Sequence, residues 1–169
     1  PGQTKTRLIP ALGKWRAAKL HERLLVRTLA VASASGAKVE LHWAGRGRGR
    51  QQMMTKLLAG SLARPVLQRG DDLGQRMLHA IRQGLRRGRR VVLVGTDLPE
   101  LTLRDIDLAF RALRAGCDCV ISPAEDGGYG LIAMRRCIPE VFRGICWGQT
   151  DVYERTAGVL DDLRLRWRA

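Results

Sequence analysis

"VVLVGTDLPELTLRDIDLAF", residues 91–110, is the stretch on which the fold turns. Val91 to Val94 is aliphatic at every position, where a strand with one wet face would alternate. Both of its faces should therefore be covered, as in the central strand of a parallel sheet. The run then turns polar at Thr96-Asp97, with Pro99 two positions later. From Thr102 to Ala115, the residues Leu103, Ile106, Phe110 and Leu113 recur at helical spacing, and Gly116 stops the helix. Thr102 and Asp105 make a capping-box-like pair, so this helix has a cap of its own and does not need Asp97.

Working outward, Gly13 to Gly36 reads as a long amphipathic helix carrying Ala17, Ala18, Leu24, Leu25, Thr28, Leu29 and Ala32 on its apolar side. Val39 to Trp43 alternates like a strand, 44–50 is a Gly/Arg loop, 52–62 a short helix and Pro65 to Gln68 another strand. Leu73, Met77, Ile81 and Leu85 form one face of a further helix. Cys119 to Ser122 and Gly130 to Met134 are strand-like, and 150–160 is helical. This alternation predicts an α/β three-layer sandwich with a mainly parallel sheet, whose ligand sites lie at the carboxyl ends of the strands.

With 169 residues, 45% of them hydrophobic, the chain is long enough for one core and too short for two, so residues 1–169 are expected to form a single domain. The apolar runs fall far below the roughly 18 residues needed to span a bilayer, and no signal-peptide pattern precedes them. The expectation is a cytoplasmic protein with no membrane span. None of the four cysteines shows C-x-x-C spacing, and reduced thiols are expected, at least one of them in the core. Alternation along the strand sends Cys117 and Cys119 to the same face.

The formal charge of +14 comes mostly from arginine clusters at 46–50, 86–90 and 164–168, a balance that favours polyanionic partners such as nucleotides and phosphosugars. Interleaved aromatics are missing and the aromatic content is only 5%, so solvated faces are favoured over a nucleic-acid surface. A noncatalytic RNA- or polyanion-binding protein remains as an alternative class.

Four segments could carry chemistry. Asp97, at the end of the aliphatic strand, reads either as a hard oxygen ligand for Mg²⁺ or Mn²⁺ bridging a diphosphate, or as a turn aspartate bonding its own backbone. In "SPAEDGGYG", residues 122–130, Glu125 and Asp126 sit beside Gly127-Gly128 and suit a metal or a sugar hydroxyl, whereas Asp-Gly and Gly-Gly are also common hairpin signals. In "PGQTKTRLIPALG", residues 1–13, Lys5 and Arg7 beside Gly2 could hold phosphates, although the P-loop pattern is not met. In "QRGDDLGQRM", residues 68–77, Asp71 or Asp72 can cap a helix whose free N–H groups would also suit an anion. His21, His42 and His79 match neither a zinc helix nor a triad and are assigned no chemistry.

In order along the chain, P-G-x-x-K-T-R-L-x-P-x-L-G at 1–13, D-L-G-x-R-M at 72–77, G-T-D-x-P at 95–99, P-A-x-D-G-G-Y at 123–129 and F-x-x-I-x-W at 142–147 with Thr150 resemble one family. It is the bacterial glycosyltransferase-A-like family of the arsenosugar-biosynthesis or radical-SAM-associated type. More distantly, the chain is similar to phospholactate and molybdenum-cofactor guanylyltransferases. The resemblance implies a Rossmann-like glycosyltransferase-A fold of the nucleotide-diphospho-sugar transferase superfamily. It puts Gly2, Lys5, Arg7, Gly74 and Arg76 with nucleotide and phosphate, and Asp97 with a magnesium or manganese ion. Asp126 is then the catalytic residue, and Glu125, Gly127, Gly128 and Tyr129 take the acceptor side. The implied activity is metal-dependent glycosyl transfer from a nucleotide-diphosphate sugar, with nucleotidyl transfer releasing pyrophosphate as the alternative. The family carries a hydrophobic strand before the first motif and an acidic segment after Trp167, so a domain truncated at both ends is expected.

Overall fold

The computed structural model describes residues 6–45, 52, 54, 58 and 60–169. A 3-10 turn, Thr6–Leu8, leads into helix α1, Ile9–Ala34. Gly13 breaks α1 with φ 74° and ψ 160°, so the regular helix begins beside it, where the sequence places its start. Ala17, Leu25, Thr28 and Leu29 are its buried positions. Gly36, at φ 69°, turns the chain away in the left-handed conformation that glycine adopts without strain.

The remaining elements follow in the expected alternation. They are β1 (Glu40–Trp43), β2 (Arg64–Leu67), α2 (Leu73–Arg87), β3 (Val91–Val94), α3 (Leu103–Arg114), β4 (Cys119–Pro123), β5 (Tyr129–Met134), a 3-10 turn (Pro139–Phe142), α4 (Val152–Asp162) and β6 (Trp167–Arg168). Most of the helix expected at 52–62, and the loop beyond Gly45, lie outside the described residues. Strands β1 and β2 pair in parallel, from Glu40 opposite Arg64 to Trp43 opposite Leu67.

The other sheet has the order β3-β5-β4-β6. Strand β5 runs antiparallel to both β3 and β4, and β6 runs parallel to β4. Three of these four strands thus share one direction and β5 opposes them. This corrects one expectation: β3 is no central strand with parallel neighbours, since its hydrogen-bonded neighbour among the described residues is the reversed β5. The aliphatic run records coverage of both faces, and coverage does not depend on the neighbour's direction. Val91 and Leu93 pack with Ile81, Ile132 and Leu160, whereas Val92 and Val94 pack with Ile106 and Leu113.

Those two clusters make the three layers. Helices α2 and α4 cover one face through Ile81 and Leu160, and α3 covers the other through Ile106, Ala109 and Leu113, with Val31 and Ala32 of α1 beside it. Burial of an Ile or Leu of this kind contributes about 2 kcal/mol. Helix α1 spans both sheets, because its Leu25 and Leu29 pack on Leu41 of β1 in a third cluster. Arg27 on α1 also donates to the Leu101 carbonyl at 2.8 Å, ahead of α3. Leu103, the first of the residues at helical spacing, is 37% exposed, because the inward stripe of α3 starts only at Ile106 and Leu103 stands at the helix's first position.

Asp118, just before β4, is a buried carboxylate that ties three strands together. Its Oδ1 accepts from Arg135 and Arg136 after β5, at 2.7 and 2.9 Å, and its Oδ2 accepts from the Arg166 N–H before β6 at 3.1 Å. Burial acts to raise its pKa, but the Arg166 N–H and the two guanidiniums outweigh it and hold the carboxyl below its usual range. Cys117 and Cys119 are buried and free, and burial pushes the Cys119 thiol up to about 12, as suits an inert core thiol. Among the described residues no helix is long and apolar enough to cross a membrane.

Candidate functional site

Three segments from different parts of the chain are linked around the β4–β5 hairpin, which touches the turn after β3 directly and the start of α2 through Trp147. The first is the turn that carries Asp97. Its start is fixed by the Gly95 N–H, which donates to the Gly130 carbonyl at 2.9 Å. Leu98 then fills the space beside Gly130, where a Cβ would lie only 2.4 Å from Leu98 Cδ2. Asp97 stands on this anchored turn with its side chain 58% exposed. It is not the cap of α3: the Thr102 N–H and hydroxyl both donate to Asp105 Oδ2, at 2.8 and 2.7 Å, in the capping box read from the sequence.

The second segment is the β4–β5 hairpin. Ala124 N–H donates to the Gly128 carbonyl and Gly127 N–H to the Ala124 carbonyl, each at 3.0 Å, and Gly128 N–H donates to Asp126 Oδ1 at 3.1 Å. The hairpin and ligand readings of this stretch are therefore compatible, because the turn fixes the carboxylate that it displays. Glu125 and Asp126 are exposed. Gly127, at φ 79°, brings the hairpin onto the start of α4: a Cβ there would lie 1.8 Å from the Thr150 carbonyl oxygen, and the Gly127 carbonyl accepts from the Tyr153 N–H at 2.9 Å. Tyr129 turns the other way. Its ring meets Trp147 edge-on at 6.4 Å within the core, and burial pushes its hydroxyl pKa up. It supports the hairpin from behind.

The third is the start of α2. Asp72 caps this helix, accepting the Gln75 N–H at 2.7 Å. Gly74 is buried, and a Cβ on it would lie 2.5 Å from Trp147 Nε1. An indole thus fills the space where a side chain on this residue would stand. Arg76 donates to the Gly70 carbonyl at 3.0 Å and so holds the preceding turn. Gly2 and Lys5 lie outside the described residues. Arg7 is exposed in the turn that leads into α1.

Helix α1 adds a residue that was assigned no chemistry from its sequence pattern. His21 Nδ1 lies 3.8 Å from Asp97 Oδ1, within ion-pair distance, and among the described residues it is buried without a hydrogen-bond partner. That separation is too long for a hydrogen bond. The signal was present in helical spacing, since His21 falls four residues from both Ala17 and Leu25 on the inward stripe. Among the described residues no three His, Cys, Asp or Glu side chains converge on one point. A cation at Asp97 would fit as an open site that takes its other ligands from phosphate oxygens and water, which is how Mg²⁺ and its like are usually held.

Residues 27–149 match a family profile described as an uncharacterized protein conserved in bacteria, DUF2064. The chain belongs to this family. A solved structure from Desulfovibrio desulfuricans G20, described as a "putative nucleotide-diphospho-sugar transferase", is 33% identical to the chain. The match covers 100% of this chain and 74% of that one, with a TM-score of 0.92. The DUF2064 chain therefore has the Rossmann-like glycosyltransferase-A fold and falls in the nucleotide-diphospho-sugar transferase superfamily, at the coarse level of a transferase. No curated protein matches it.

Proposed function

We propose that the protein is a metal-dependent glycosyltransferase that uses a nucleotide-diphosphate sugar. The observation that carries this reading is the exposed Asp97 carboxylate, anchored by Gly95 and Gly130 at the carboxyl end of β3, where α/β sheets bind ligands. The likeness to the Desulfovibrio protein supports the donor class. The order of the motifs favours the arsenosugar-biosynthesis or radical-SAM-associated type within the superfamily.

In this reading Asp97 holds Mg²⁺ or Mn²⁺, which when bound would neutralise charge on the diphosphate as it leaves. Arg7 and Lys5 would hold the phosphates and add positive charge that does not depend on the metal. Asp126, oriented by the Gly128 N–H, takes the proton of the acceptor hydroxyl. Glu125 and the backbone of Gly127 and Gly128 form the acceptor side, with Tyr129 and Trp147 holding the hairpin in place.

Product analysis tests the reaction class. Incubation with nucleotide sugars and Mn²⁺ is expected to release free nucleoside diphosphate. Release of pyrophosphate from a nucleoside triphosphate would instead establish nucleotidyl transfer and overturn the glycosyl reading.

A further inference from the structure

We propose that the end of the β3-β5-β4-β6 sheet opposite Asp97 is a docking surface for the phosphate backbone of a nucleic-acid duplex. This is a second face of the protein and does not rest on the transferase reading. The arginine clusters at 86–90 and 164–168, far apart in the sequence, reach the same end of one sheet, because β3 and β6 both start there. Strand register sets the geometry. Val91 of β3 pairs with Met134 of β5, Met134 with Cys119 of β4, and Cys119 with Trp167 of β6. One position further out, the row across the four strands reads Arg90, Arg135, Asp118 and Arg166. Neighbouring strands stand about 4.8 Å apart, so this row is about 14 Å long. It is too long for a single phosphate and spans several of those on a duplex, which carries one charge per roughly 1.7 Å of its axis.

The acid in the row does not cancel the charge around it. Asp118 is buried and accepts from both Arg135 and Arg136, whose side chains remain 43% and 57% exposed. One carboxylate thus positions two guanidiniums and leaves an excess of positive charge. Arg166 adds to it, with its guanidinium 3.1 Å from where a Cβ on Gly116 would stand, and so does the exposed Arg114 at the end of α3. Arg114 complements the dipole of its helix, but Arg135 and Arg136 follow a strand, where no helix end calls for them. Guanidinium forks pair with phosphate at two points. Trp167 packs against the core and its indole donates to Asp161 at 2.7 Å, so this ring is not a stacking platform for single-stranded bases. Contacts made to phosphates alone need no interleaved aromatics. Stable membrane attachment takes a second signal beside a basic patch, which favours nucleic acid over a lipid surface.

The test is fluorescence anisotropy with a labelled RNA duplex of about 20 base pairs, titrated between about 50 and 200 mM salt, beside flotation with phosphatidylserine vesicles. Wild type should bind the duplex with a log–log salt slope of about −4. Arg89→Gln, Arg114→Gln and Arg166→Gln, which leave the Asp118 pairs intact, should together weaken binding about tenfold or more and make the slope shallower by about 2. Arg16→Gln, Arg23→Gln and Arg104→Gln remove the same charge from the Asp97 end and should have little effect. An equal loss in the two triple variants overturns the proposal, since net charge rather than this surface would then hold the duplex. Failure of wild type to bind the duplex at the lowest salt, or binding of the vesicles in its place, overturns it without any substitution.

Discussion

Trp147 lies against Gly74 so closely that a methyl group on that glycine would stand 2.5 Å from the indole nitrogen. The same indole meets Tyr129 edge-on at 6.4 Å and stacks with Phe142 at 6.5 Å, so one ring joins the start of α2, the β4–β5 hairpin and the 3-10 turn after β5. Gly74→Ala must displace that ring. It is expected to destabilise the protein by about 1–3 kcal/mol, the usual range for overpacking, as measured by urea denaturation.

Gly127→Ala should be worse. The position combines φ 79° with a Cβ only 1.8 Å from the Thr150 carbonyl oxygen, so backbone rather than a flexible side chain stands in the way. A loss of about 3 kcal/mol or more is expected. Amide hydrogen exchange should rise at Tyr153, whose N–H is bonded to the Gly127 carbonyl.

Asp118→Asn leaves two guanidiniums facing an amide at a buried position, and a loss of about 2–3 kcal/mol is expected, discounted because both arginines are partly exposed. The sign of the pH dependence follows from the lowered folded-state pKa. The carboxylate's contribution is fully present above its unfolded value of about 3.8 and is lost as pH falls through the lower folded value. Thermal melts from neutral to acid pH should show the gap between wild type and Asp118→Asn closing only below about pH 4.

Thr102→Ala removes half of the capping box on α3 and should cost about 1 kcal/mol by denaturant titration. Asp97 has no part in that box.

Features of this kind were legible because they are local. Thr102 and Asp105 lie within one turn, Gly36 stops α1 at positive φ as read, and the aliphatic Val91–Val94 is covered on both faces. Strand direction was not legible, because β5 enters between β3 and β4 through long-range pairing that leaves no mark on the β3 sequence.

The site was legible in part for the same reason. Asp97 and Asp126 announce themselves at strand ends, but His21 becomes notable only when α1 docks beside β3. The indole against Gly74 was not legible, because a missing side chain does not say what will stand beside it. Some of the arginines also hold the fold together: Arg27 and Arg76 donate to carbonyls, Arg135 and Arg136 donate to Asp118, and Arg87 pairs with Glu40.

The central claim is that Asp97 holds the metal that binds a nucleotide-diphosphate sugar. The most direct measurement is a thermal-shift panel of nucleotide sugars with and without Mn²⁺, run on wild type and Asp97→Asn. Wild type should be stabilised only when metal and nucleotide sugar are both present, by about 2.7 kcal/mol at a hundredfold excess over the dissociation constant, and Asp97→Asn should show no such gain. Metal-dependent stabilisation that persists undiminished in Asp97→Asn would contradict the account.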